Sequence, residues 1–191
     1  MDEDQWVSSR AYALSRLEEH MRTGKVDQDI VEFLAEFNRG RECMFTTSSC
    51  SGRIVVLRGR SLFDKRGAEI IYSSHSAEEC LKALGNLEEG SSGGNDLITW
   101  VSLQPPILHI AAKTLEAAES VVRCGVRAGF TRTCYRRMKP LGYHVEIAAH
   151  DKLHIILPAG KRALEEVCDV LKRYKTRLKT LIDCLLSLTC T

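Results

Sequence analysis

The sequence contains no apolar run near the ~18 residues that cross a bilayer, so a membrane-spanning helix is excluded. It has no Cys-x-x-Cys pair, which removes zinc ribbons and thioredoxin-like redox motifs. There is no Walker loop and no Gly-x-Ser-x-Gly elbow. The one glycine-rich stretch, Gly90–Gly94, lacks the preceding strand and following helix of a Rossmann turn. The first residues, Met1-Asp2-Glu3-Asp4-Gln5-Trp6, are acidic where a secretory leader is basic and then apolar. A soluble, cytoplasmic protein is expected.

What is present suits a globular chain. The 191 residues are 44% hydrophobic and 27% charged, enough to bury a core in one compact domain over residues 1–191. Eight cysteines fall well short of the roughly 8–10% of a disulfide scaffold. Buried or half-buried free thiols are expected, with disulfides left open. The net charge of +2 hides an asymmetry: residues 1–100 carry 12 Lys/Arg against 17 Asp/Glu, residues 101–191 carry 15 against 8. No acid interrupts Val121–Val145, which holds Arg123, Arg127, Arg132, Arg136, Arg137 and Lys139. Nor does one interrupt Lys172–Lys179, with Lys175 between. Such clusters suit a polyanion, because phosphate contacts release condensed counterions, and nucleic acid is the expected partner. The plainer reading is a solvated helix face.

Apolar spacing predicts helices over about 4–22 and from an Asp27 cap to about Gly40. Strands are expected at Cys43–Thr47, Ile54–Leu57 and Ala68–Ser73, then a helix capped by Ser76 and Glu79. Residues 88–95, the one low-complexity stretch, form a hinge candidate between two pseudo-repeats, about 1–90 and 96–191. Beyond it come strands at Leu97–Leu103 and Ile107–Ala111, a helix from Thr114 to about Ala128, and strands near Phe130–Arg136, Tyr143–Ala148 and Leu153–Leu157. A long final helix carries Leu164, Val167, Leu171, Tyr174, Leu178, Leu181, Leu185 and Leu188 in 3-4 alternation. It reads as an amphipathic helix across a sheet or as a self-associating coiled coil. The fold class is α+β: two similar helix-and-strand units with mixed or antiparallel sheets sharing one core. The short connections in Ile54–Ser73 argue against a doubly wound parallel sheet.

Thr46-Thr47-Ser48-Ser49-Cys50-Ser51-Gly52-Arg53 reads as a polar loop whose hydroxyls and backbone N–H groups suit a carboxylate, ribose or phosphate. An ordinary hairpin turn has the same composition. His75, just before a helix cap, is a candidate proton acceptor or a plain cap-region histidine. His109 shares a strand face with Ile107 and Ala111, where a histidine is either a site residue or a satisfied core group. His144, His150 and His154 could approach one another, but His150 and His154 lack the helix a zincin pair needs, and no metal site is expected.

At Phe45–Ile54 the serine-rich segment resembles the signature of the wybutosine-synthesis methyltransferase family. Val26-Asp27-Gln28-Asp29-Ile30 with Asn38, His75, Gln104-Pro105-Pro106-Ile107-Leu108-His109-Ile110, Gly129-Phe130 and Leu157-Pro158 extend that likeness over about 24–160. Two positions depart from it: Cys134 stands for a glycine, and Gln104 for an acid. The resemblance implies a fold outside the Rossmann class. It also implies methyl transfer from S-adenosyl-L-methionine to N4 of a tricyclic guanosine beside the anticodon of phenylalanine tRNA. On that reading Thr47, Ser48, Ser49, Ser51, Gly52 and Arg53 would hold the cofactor. His75 or His109 would orient the base or take its proton. The anticodon arm would lie on Arg123, Arg127, Arg132, Thr133, Arg136, Arg137, Lys139, Lys172, Lys175 and Lys179. The rival is a non-catalytic tRNA-binding module using the basic second half.

Overall fold

The computed structural model describes residues 3–62, 67–89, 96–138 and 142–190. Five α-helices and eight strands follow one another there: α1 (Glu3–Arg22), α2 (Val31–Arg39), β1 (Met44–Cys50), β2 (Arg53–Gly59), β3 (Glu69–Ser74), α3 (Cys80–Glu89), β4 (Ile98–Gln104), β5 (Ile107–Ala112), α4 (Leu115–Arg127), β6 (Cys134–Met138), β7 (Gly142–Ala148), β8 (Leu153–Leu157) and α5 (Lys161–Leu186). A short 3₁₀ turn, Gln28–Ile30, leads into α2. The strands form two four-stranded sheets, β1-β5-β7-β6 and β3-β2-β4-β8. Every pairing among the described residues is antiparallel. The α+β reading is what the structure shows, with no parallel sheet among the described residues.

Each sheet belongs to one of two compact units. The first comprises 1–51, 106–150 and 176–191, and the second 52–105 and 151–175. The glycine-rich hinge candidate falls largely on 90–95, outside the described residues. One shared core was expected, but each unit has its own apolar clusters. In the first unit Met44, Leu108, Ile110, Val145 and Ile147 pack against Leu34, Phe37, Val121 and Leu181. In the second, Ile54, Val56, Val101 and Leu103 pack against Leu84, Leu171 and Tyr174.

The leucine stripe of α5 is buried in both cases. Leu164, Val167, Leu171 and Tyr174 belong to the second unit's cluster, and Leu178, Leu181 and Leu185 to the first's. That accounts for the strict spacing without a coiled coil: a helix face that fills a core needs the same period as one that meets a partner helix.

Six of the eight cysteines are paired, where free thiols were expected. The disulfides Cys43–Cys190 and Cys124–Cys184 lie in the first unit and Cys80–Cys168 in the second. Their Cα separations of 5.6–5.7 Å are those of ordinary bridges. Sequence spacing conceals them because the partners lie 60 to 147 residues apart. Cys50 and Cys134 remain as thiols.

Candidate active site

The serine-rich segment is a strand rather than a loop: β1 runs through Cys50, and only Ser51 and Gly52 lie between it and β2. Nor is it a hairpin, since β1 and β2 belong to different sheets. Gly52 makes the change of direction with φ 84°, a conformation that a side chain opposes. Serine is an indifferent strand former, but β1 is an edge strand whose hydroxyls at Thr47 and Ser48 stay exposed while its backbone pairs with β5.

Two side chains clamp β1. At its start the buried Asn38 amide accepts from the Thr46 N–H at 2.9 Å, and donates to Thr46 Oγ1 at 2.8 Å and to the Leu34 carbonyl at 2.7 Å. Just past its end the Asp27 carboxylate accepts from the Ser51 N–H at 2.7 Å. Asp27 therefore makes no side-chain cap for the turn that follows it, contrary to the expectation, and the Ser51 N–H is already used.

Between the clamps the register slips by one residue at Thr47, so that Thr46 opposes Ile110 while Ser48 opposes His109. Without this bulge Ser48 would follow Thr46 onto the core side. With it, Ser48 turns to the opposite face. Register then carries a polar row across the sheet. Ser48 lies opposite His109, His109 opposite Glu146, and Glu146 opposite Cys134. His144 and Arg136 form the next row on the same face.

The His109 and His144 rings meet edge to face with centroids 4.9 Å apart. Burial, then the neighbouring His109 and Arg136, hold the His144 imidazole below its ordinary 6.5, and Glu146 opposes them. His109 Nε2 is buried with no hydrogen-bond partner among the described residues. A buried polar atom left in this state costs free energy that a ligand N–H would recover.

In the second unit, Arg53 opposes Gln104 in the β2–β4 register and donates from Nε to Gln104 Oε1 at 2.9 Å. The Gly52 carbonyl accepts from His75 Nδ1 at 3.0 Å and from Lys175 Nζ at 3.2 Å. A carbonyl can only accept, so Nδ1 carries the His75 proton.

The basic residues divide between the units. Arg123, Arg127, Arg132, Arg136, Arg137 and Lys179 are exposed in the first, whereas Lys172 and Lys175 lie in the second. Lys172 is paired with Asp169 at 2.9 Å, and Arg123 donates to Ser120 Oγ at 2.7 Å. Thr133 spends its hydroxyl on the Phe130 carbonyl at 2.7 Å. Lys139 lies outside the described residues.

The sequence reading missed the Glu146 carboxylate and weighed His144 only as a metal ligand. Alternation along Tyr143–Ala148 put both on one face, but which strand lies beside them is a long-range fact.

With antiparallel sheets among the described residues, the chain is a methyltransferase built on an α+β plan, as comparison with known proteins establishes. It belongs to the methyltransferase TYW3 family, whose sequence model matches residues 8–187. A Pyrococcus horikoshii relative, a tRNA(Phe) 7-((3-amino-3-carboxypropyl)-4-demethylwyosine(37)-N(4))-methyltransferase, is 32% identical over 179 residues, 88% of this chain and 89% of its own. The Saccharolobus solfataricus protein of the same description is 29% identical over 95% of this chain and 90% of its own. The solved structure of the PH1069 protein from Pyrococcus horikoshii superposes with a TM-score of 0.80 at 30% identity, covering 96% of this chain and 97% of that one. The non-catalytic RNA-binding reading is set aside.

Proposed function

We propose that this chain transfers a methyl group from S-adenosylmethionine to N4 of 7-(3-amino-3-carboxypropyl)-4-demethylwyosine at position 37 of tRNA(Phe), beside the anticodon. The observation that carries the reading is the match, over nearly the whole chain, to enzymes described by that reaction.

The polar sheet face fits the cofactor and the chemistry. S-adenosylmethionine, when bound, supplies an electrophilic methyl group on a positively charged sulfur. The Glu146 carboxylate is the acidic group on the face of His109, and its charge favours a cation there. Ser48 and Ser49, with Thr47, offer hydroxyls to a ribose or amino-acid end, and the clamped Ser51 fixes where β1 stops. In the second unit Gly52 and Arg53 continue the segment, with the Arg53 guanidinium held by Gln104 for a carboxylate or phosphate. Methyl transfer to N4 must release the N4 proton, and His109 Nε2 is the group that accepts it. His75 is the positioning group of the Gly52 turn. The exposed arginines Arg127, Arg132, Arg136 and Arg137 take phosphates of the anticodon arm.

The test is purified protein with S-adenosylmethionine and tRNA(Phe) carrying the demethylated base, digested to nucleosides and read by mass spectrometry. One added methyl on that nucleoside is expected, and none would overturn the reading. His109→Ala should lower kcat by roughly 10²–10⁴-fold with tRNA binding retained. Wild-type rates in that variant would remove His109 as proton acceptor.

A further inference from the structure

Along the outer edge of β1 the first unit holds a concavity whose α1 side the reaction above does not use. It has a volume of about 570 Å³, within the range of small-ligand sites. One wall is α1, where Tyr12, Arg16 and His20 recur every four residues and so form one stripe. Ala13, Leu17, Val26 and Phe45 give it an apolar floor, and the Thr47–Ser49 hydroxyls proposed above for the cofactor close the strand side, opposite α1.

Lys25 joins this wall because of how α1 ends. Gly24 takes φ 67°, and the Lys25 N–H returns to the His20 carbonyl at 2.9 Å, which keeps Lys25 beside the helix's last turn. No acid lines the cavity among the described residues, although the N-terminal half of the chain is acidic overall. Arg16 is paired with Glu19 of its own helix at 2.7 Å, but both side chains are well exposed, and such pairs give way to a phosphate at little cost. Lys25 has no ion pair among the described residues. Tyr12 stands 70% exposed at the mouth, an unusual place for an aromatic ring without a ligand to cover it.

An aromatic face, an apolar floor and two cations with no acid in the lining are the parts of a site for an unpaired nucleotide. The charges also discriminate between ligands. Arg16 and Lys25 repel a sulfonium and attract a phosphate, so the α1 side of the cavity suits the RNA rather than the methyl donor. We propose that this side binds one unpaired nucleotide of the substrate RNA, its base against Tyr12 and its phosphate at Arg16 and Lys25. This rests on the reading that the substrate is RNA.

Binding of a fluorescent RNA hairpin with an unpaired loop, followed by anisotropy across a salt series, tests it, with S-adenosylmethionine affinity by calorimetry alongside. Tyr12→Ala should weaken RNA binding about 10-fold, whereas Tyr12→Phe, which keeps the ring, should not. Arg16→Ala with Lys25→Ala should flatten the salt slope by about 0.7 for each phosphate that is no longer neutralised. S-adenosylmethionine affinity should be unchanged in all three variants. Undiminished RNA binding in Tyr12→Ala and in the double variant overturns the proposal. So does loss of S-adenosylmethionine affinity with RNA binding intact, which would give the α1 side to the cofactor as well. Tyr12-dependent binding without methyl transfer would instead sustain this site and defeat the proposed reaction.

Discussion

Around the His144 imidazole the balance of charge is unfavourable to a proton. Partial burial, His109 at ring contact and Arg136 across the β6–β7 pair all oppose the charged form, and the Glu146 carboxylate offsets them only in part. As pH falls, the unfolded chain, with its imidazole at the ordinary 6.5, takes up this proton before the folded protein does. The stability that neutral His144 contributes is therefore complete above about pH 6.5 and is lost as pH drops below it. Melting temperatures of wild type and His144→Phe between about pH 7.5 and pH 5.5 should show the wild type falling more steeply. Parallel curves would mean that His144 does not titrate against the fold. The phenyl ring keeps the edge-to-face contact with His109, so packing is held constant in the comparison.

At the scale of the element, β1 is the piece whose position matters most, and Asn38 holds it through one buried amide. Truncating that amide leaves the Thr46 N–H and hydroxyl without their partners on the protein side, at a cost of about 1–3 kcal/mol. Asn38→Ala should lower the denaturant midpoint accordingly, with no change in its slope, and slow methyl transfer more than Asn38→Asp does. An unchanged midpoint would show that the clamp is dispensable. Much at this scale was legible in the sequence. The Thr114 cap accepts from the Ala117 N–H at 3.2 Å as expected, and the α5 stripe is buried along its length. What sequence could not give was sheet membership. Nothing local distinguishes Ser51-Gly52 as a switch between two sheets from the same dipeptide in a hairpin turn. The bulge at Thr47 was equally hidden, because it exists only relative to β5. For the same reason His109 was found as a residue, while the Ser48–His109–Glu146 row, assembled from three strands, was not.

At the scale of the whole molecule, three disulfides close loops of 60 to 147 residues, and each lies within one unit. Long closed loops remove the most freedom from the unfolded chain, at about 4–5 kcal/mol apiece in the entropic account. In denaturant without reductant, a thiol reagent should count two thiols, Cys50 and Cys134, and all eight after reduction. Reduction should also lower the melting temperature by well over ten degrees. Eight thiols before reduction would show that the bridges do not form. Two of the three bridges start from α5, at Cys168 and Cys184, so the helix is fastened to α3 in one unit and to α4 in the other.

The chain order of α5 bears on how the protein is made. The helix follows every strand in sequence, yet it supplies Leu171 and Tyr174 to one cluster and Leu181 and Leu185 to the other. On the ribosome both sheets, with α2, α3 and α4 against them, are therefore synthesised before the last helix that covers them exists. Neither unit can complete its interior while the nascent chain is still attached upstream of residue 161. Until α5 is made, the apolar positions that it covers on both sheets lie open, the kind of surface on which chaperones act and aggregation begins.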